Sequence, residues 1–201
     1  MQTKKFYNES LPAALSQAQN YAGKEGYVAS LPQMVQARID SKRDSIWNTW
    51  FTTTTEEHVG KTKQGNPVLV TSHKPAIWTP GRIEQAYKDG LINGAGKLTG
   101  AEFYKLLEQD VTITDLDKIK SLLSDVQDID ILREDPLFIL RAGGAEQASK
   151  YLDAVKEVYE TSKYGNWHSF RNVNPNNPHG RLLFLDFNCN NGFNGGNLYN
   201  N

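Results

Sequence analysis

The sequence predicts an α/β or α+β fold, a single domain whose central sheet of three to five strands is covered by helices. The apolar runs at 68–70, 137–140 and 182–185 are short and unbroken, as in strands buried on both faces. Segments with helical spacing of apolar residues alternate with these runs. At 201 residues and 38% apolar content, the chain can build a sizeable core.

The first half of the chain begins with helices and then changes to strands. Apolar stripes predict helices over 10–22 and from 30 to about 43. Aromatic and β-branched residues over 46–55 favour a strand, and the acidic stretch 56–58 after it is interpreted as a polar turn. The run at 68–70 is the first buried strand.

Helix caps mark the middle of the chain. Thr79-Pro80 predicts a helix start, with threonine as the cap and proline in the first turn. Thr99 and Glu102 have the spacing of a capping box, in which each side chain accepts from the other's backbone N–H. A further helix is predicted over 114–126.

The segment 137–161 is predicted to organise the fold as strand, turn and helix. Pro136 disfavours a helix at the residue before it, so 137–140 is interpreted as a strand. Gly143-Gly144 then forms either a simple tight turn or, with Arg141, an anion-binding turn before an amphipathic helix. The dinucleotide fingerprint G-x-G-x-x-G is absent, and Gly60-Lys61-Thr62 lacks the first glycine of a P-loop.

Candidate site residues follow the predicted strands, because ligands of open α/β sheets bind beyond the carboxyl ends of the strands. The candidate catalytic residues would converge if the three strands were parallel neighbours, and they are His73, Arg141 and Asp186. The candidate ligand-binding residues are Ser72, Gly143, Gly144 and His179.

The C-terminal segment differs in composition from the rest. The domain is predicted over 1–187, and 188–201 is interpreted as a tail in which seven of fourteen residues are asparagine. Oxygen-bearing side chains at 186, 188 and 190 resemble the opening of a calcium loop, but the required glycine and glutamate are replaced by Asn191 and Asn197. No metal site is therefore predicted.

Composition narrows the class of partner. The net charge of −1 gives no indication of nucleic-acid binding, and no apolar run approaches membrane-spanning length. The single cysteine, Cys189, fits a reducing compartment, so a cytoplasmic location is expected. The sequence identifies no cofactor, and the partner is an unknown small molecule or protein.

Three functions remain open at the level of sequence. The first is a non-catalytic ligand-binding or interaction module, since no set of nucleophile, base and orienting residue is apparent. The second is a hydrolase or transferase at the strand ends. The third is an aromatic surface for carbohydrate or base stacking, which would use Trp47, Trp50, Trp78 and Trp167.

Overall fold

The computed structural model describes residues 4–41, 45–168, 170, 173–195 and 198. Within these residues eight strands form one sheet: β1 Phe51–Lys61, β2 Pro67–Ser72, β3 Gly96–Lys97, β4 Thr112–Asp115, β5 Asp125–Asp128, β6 Lys163–Trp167, β7 His179–Leu185 and β8 Phe193–Gly195. The helices are α1 Leu11–Ala22, α2 Leu31–Ser41, α3 Pro80–Asp89, α4 Gly100–Leu106, α5 Leu116–Lys120, α6 Ile129–Leu132, α7 Pro136–Ala142 and α8 Ala145–Tyr159. None of the described helices has the length and apolar content to cross a membrane.

The sheet is mixed and runs in the order β4-β2-β1-β7-β8-β6-β5, with β3 also paired to β7. Strand β8 is parallel to β6 and antiparallel to β7, and the other neighbours are antiparallel. The predicted sheet of three to five strands is therefore wrong. The strands at 68–70 and 182–185 exist, but they are separated by β1 rather than adjacent.

The third predicted strand, 137–140, is instead part of helix α7. The side-chain oxygen of Asp135 accepts the N–H groups of Leu137 at 2.8 Å and Phe138 at 2.9 Å. Pro136 occupies the first turn, where its missing N–H is not needed. The pair Asp135-Pro136 is thus a helix start, whereas the sequence analysis interpreted it as a barrier to a helix.

Strand β1 lies at the centre of the sheet and includes the stretch 56–58, which was predicted to be a polar turn. Glu56, Glu57 and His58 are all buried. Their side chains alternate between the two faces of the sheet, as in any strand. Glu56 accepts backbone N–H groups from residues 76–78 and bonds His58 at 2.8 Å, so its burial is compensated.

Most of the helices predicted from the sequence are present in the structure. Helices α1, α2, α3 and α8 occupy the expected segments. The capping box is complete, because Thr99 accepts from the Glu102 N–H at 3.1 Å and Glu102 accepts from the Thr99 N–H at 2.7 Å. The predicted helix over 114–126 is reduced to α5, with strands β4 and β5 on either side of it.

The described side chains form three apolar clusters against the sheet. The largest packs α2, α7 and α8 around the aromatic residues Trp47, Phe138, Tyr151, Tyr164 and Phe193. A second cluster lies under α1, α3 and α4, and a third, smaller one includes Val59, Leu69 and Phe170. Phe193 and Leu198 belong to these cores, so part of the segment assigned to a tail is packed into the domain.

Candidate ligand-binding surface

His73 and Ser72 follow β2, as predicted, and both are held by hydrogen bonds. His73 Nε2 donates to the Leu140 carbonyl at 3.0 Å, so its Nδ1 accepts from the Thr55 hydroxyl at 3.2 Å. Burial lowers the pKa of His73, against the opposing effects of the Leu140 carbonyl and Glu57. The Ser72 hydroxyl donates to the Lys74 carbonyl at 2.7 Å. His73 therefore fastens α7 to the sheet.

Arg141 is fully buried and forms a bidentate ion pair with Glu57, at 2.8 Å and 2.7 Å. The two N–H groups of Nη1 donate to the side-chain oxygen of Asn166 and the carbonyl of Trp167, each at 2.9 Å. Arg141 is near His73 in the fold, because Leu140 and Arg141 are consecutive. The guanidinium uses four of its five N–H donors to link α7 to β1 and β6.

The glycine turn after α7 caps that helix. Gly143 has a left-handed conformation, with φ of 97°, which favours glycine. Its N–H donates to the Leu140 carbonyl at 3.1 Å, and the Gly144 N–H donates to the Ile139 carbonyl at 2.9 Å. Both donors are therefore used inside the chain, and in this conformation they are not available to an anion.

Asp186 lies in a different network from His73 and Arg141. It begins the loop of residues 186–192, here called the β7–β8 loop. Its Oδ1 accepts the Asn188 N–H at 2.8 Å, and its Oδ2 accepts from the Asn191 amide at 3.1 Å. The Asn188 side chain in turn accepts the Asn190 N–H at 2.9 Å. The alternating oxygens that resembled a calcium loop thus hold the loop's own backbone.

Backbone groups complete the bracing of the β7–β8 loop. The Asp186 N–H donates to the Gly192 carbonyl at 2.9 Å, and the Gly192 N–H donates to the Asn188 carbonyl at 3.0 Å. Strand β6 supports the loop from the side: the Gly165 N–H donates to the Cys189 carbonyl at 2.7 Å. Trp167 Nε1 donates to the Asn190 carbonyl at 2.8 Å.

Close packing fixes the identity of the glycine beneath this loop. A Cβ atom on Gly165 would lie 2.3 Å from the Asn190 carbonyl oxygen, so no larger residue fits without moving the loop. The loop is consequently held by main chain, by Asp186 and Asn188, and by one indole.

The outer side of the same loop is exposed. Phe187 is 48% exposed, and Asn188, Asn190 and Asn191 also face solvent. Trp50 is 39% exposed at the same end of the sheet, one residue before Phe51, which pairs with Leu185 at the end of β7. We call Trp50 together with the outward side chains of Phe187–Asn191 the loop face.

Of the four tryptophans considered for an aromatic surface, Trp47 and Trp78 are 1% and 2% exposed and belong to the core. Trp50 and Trp167 reach the surface. Phe187 and Asn190 were not predicted as contact residues, because Phe187 ends the predicted domain and Asn190 lies in the predicted tail. The Asp-x-Asn-x-Asn spacing could have indicated a closed loop, since these side chains readily bond backbone N–H groups two residues on.

His179 is buried at the start of β7, where its Nδ1 donates to the Asn177 carbonyl at 2.8 Å. Burial lowers the pKa of His179, and the charge of Arg181 acts in the same direction. Across the described part of the chain, no group of three or more histidine, cysteine, aspartate or glutamate residues is arranged to hold a metal ion.

Comparison with known proteins identifies the fold. No family model and no curated protein matches the chain. It does match a solved structure described as "Accommodation of massive sequence variation in Nanoarchaeota by the C-type lectin fold", with 36% identity and a TM-score of 0.85. The match covers 98% of this chain and 92% of that one. A curled mixed sheet of the C-type lectin type therefore replaces the predicted helix-covered α/β sheet.

Proposed function

The chain belongs to the family of C-type lectin-fold proteins represented by its Nanoarchaeota relative, and we propose that it is a non-catalytic binding module whose ligand contacts the loop face. The observation that carries this proposal is that one set of groups in the β7–β8 loop fixes its backbone while another set faces solvent. Backbone bonds and the side chains of Asp186, Asn188 and Asn191 hold the loop's path, while the side chains of Phe187 and Asn190 project outward.

Such a loop tolerates change at its outward positions, because substituting an exposed side chain rarely alters stability by more than about 0.5 kcal/mol. The relative is described as accommodating massive sequence variation with this fold. We extend that property to this chain and assign the variable, ligand-contacting positions to 187 and 190. Asn188 and Asn191 are mixed positions, because their side chains are exposed but Asn188 also accepts a backbone N–H and Asn191 also donates to Asp186.

A binding role also fits the state of the candidate catalytic groups. Both ring nitrogens of His73 are bonded within the chain, and the guanidinium of Arg141 is committed to Glu57. A general base must reach a substrate proton directly or through one water. Asp186 is a positioning residue, since its two carboxylate oxygens orient the loop that contains the proposed ligand-contacting side chains.

Two libraries test the assignment. The first randomises 187 and 190, and the matched control library randomises the buried positions 165 and 193. After display on yeast, we expect most of the first library and little of the second to resist protease. The surviving first library is then selected on immobilised lysozyme. Recovery of folded binders supports the loop face as the contact surface, whereas a folded library without binders would contradict it.

A second candidate function is favoured by the exposure of two aromatic rings, Trp50 at 39% and Phe187 at 48%. Exposed aromatic rings can stack on the faces of sugars or bases, and each stacked base contributes about 1–3 kcal/mol. Titration of the tryptophan fluorescence with a panel of oligosaccharides and oligonucleotides tests this function. A saturable change that disappears in Trp50→Ala but persists in Tyr104→Ala supports it, and no change with any probe rejects it.

A further inference from the structure

A small cavity lies inside the domain, away from the loop face. It is lined by Glu57, Val59, Leu69, Phe170, His179, Gly180 and Arg181, and it has space for about one water molecule. Glu57 and Val59 of β1 and His179 and Arg181 of β7 share one face of the sheet, since each pair is two residues apart. The cavity is therefore built by the sheet's own central strands.

Within the described part of the chain, Arg181 in the cavity wall has no carboxylate of its own. Arg181 is 6% exposed and stands directly opposite Glu57 in the pairing of β1 with β7. Both oxygens of Glu57 accept from Arg141, at 2.8 Å and 2.7 Å. Among the described residues, the hydrogen bond of the Arg181 guanidinium goes to the Gly195 carbonyl, at 3.4 Å. Two arginines thus share one carboxylate, which leaves one positive charge.

Burial of this charge is unfavourable. Burial lowers the pKa of Arg181, Glu57 opposes that effect and Arg141 adds to it. His179 does not supply a countercharge, because its imidazole is neutral when unprotonated and positive when protonated. Burial removes the arginine from water, and the one carboxylate opposite it is shared with Arg141, so an anion that fits beside Arg181 is stabilised there.

We propose that the cavity beside Arg181 is a binding site for one small monovalent anion of the halide class, such as chloride. The size of the cavity excludes sulfate and phosphate, which have four oxygens around a central atom. The bound anion completes the charge balance of Glu57, Arg141 and Arg181 and so stabilises the pairing of β1 with β7. This site is independent of the loop face. If no anion binds there, the proposed function is not affected.

The test compares thermal unfolding in sodium chloride, sodium bromide, sodium gluconate and sodium methanesulfonate at equal ionic strength, since sulfate stabilises folded proteins without a specific site. A ligand that binds the folded state alone raises Tm by about 3 to 6 °C at roughly ten times its dissociation constant. We expect chloride and bromide to do so and the two larger anions not to. Equal Tm values in all four salts would overturn the proposal and assign the cavity to water.

Variants locate the effect. Arg181→Gln should abolish the halide-specific rise in Tm, and the matched exposed variant Lys63→Gln should retain it. If Arg181→Gln does not fold, equilibrium dialysis of the unmodified protein with radioactive chloride replaces it. Retention of about one chloride per chain, displaced by bromide but not by sulfate, supports the site. No retention, or a halide response that survives in folded Arg181→Gln, overturns it.

Discussion

Replacing Arg141 with methionine should destabilise the domain strongly. The arginine is 0% exposed and its partner Glu57 is 4% exposed, so the variant leaves a carboxylate buried without its ion pair. Removing one partner of a buried pair typically destabilises a protein by about 3–5 kcal/mol. Because domains of this kind are stable by about 5–15 kcal/mol, the loss is a large part of the total.

Urea denaturation followed by circular dichroism measures the effect, and a double-mutant cycle isolates the pair. Glu57→Gln combined with Arg141→Met should be less destabilised than the sum of the two single variants, by about 2 kcal/mol or more. The control is Lys150→Met, which removes an exposed pair with Glu146 and should leave the unfolding midpoint nearly unchanged. A loss below about 1 kcal/mol in Arg141→Met, or additive single effects, would refute the reasoning.

Three further outcomes are expected. Gly165→Ala should lower the free energy of unfolding by about 1–3 kcal/mol, because the added Cβ would collide with the β7–β8 loop. The control is Gly81→Ala, whose Cβ has no atom within 4 Å and which should not destabilise the protein. Equal effects of the two variants would argue against tight packing at Gly165. Thr99→Ala should lower Tm by about 2–4 °C through loss of roughly 1 kcal/mol of capping, and an unchanged melting curve would contradict that. The pKa values of His73 and His179 are lowered in the folded protein, so as the pH falls the unfolded chain binds protons before the folded one does. Stability should therefore fall as the pH drops below about 6.5. Replacing both histidines with glutamine should flatten that profile between pH 7 and 5, and a profile of unchanged slope would show that other groups cause it.

The helices were predictable from sequence because their signals are local. Thr99 and Glu102 are three residues apart, and the bonds that join them depend on little else in the fold. The same local chemistry is present at Asp135-Pro136, where aspartate caps and proline opens α7. The error there came from treating proline as the end of a preceding segment, although the pair fits a helix start equally well.

The sheet was less predictable because its stability comes from residues distant in sequence. Glu56 and His58 appear polar and exposed until the backbone N–H groups of residues 76–78 are seen to bond Glu56. Glu57 is compensated by Arg141, which is 84 residues away in the chain. No periodicity within β1 reveals such partners, so a charged stretch at the centre of a sheet was interpreted as a turn.

Prediction of the candidate surface also depended on contacts between residues distant in sequence. Asparagine-rich sequence near the end of a chain is typical of turns, and the sequence does not show that β8 enters the sheet between β7 and β6. Once it does, the residues between β7 and β8 become a short hairpin loop at the sheet's end. The exposed positions of that loop can then be proposed as ligand contacts, which composition alone does not indicate.

The insertion of β8 has a consequence for biosynthesis. Within the described residues, the strands on one side reach those on the other through β8, which pairs with both β7 and β6. A nascent chain on the ribosome therefore cannot complete the strand pairing between the two sides until residues 193–195 have emerged from the exit tunnel. Polypeptides released before that point would expose unpaired strand edges, which quality-control proteases and chaperones can recognise.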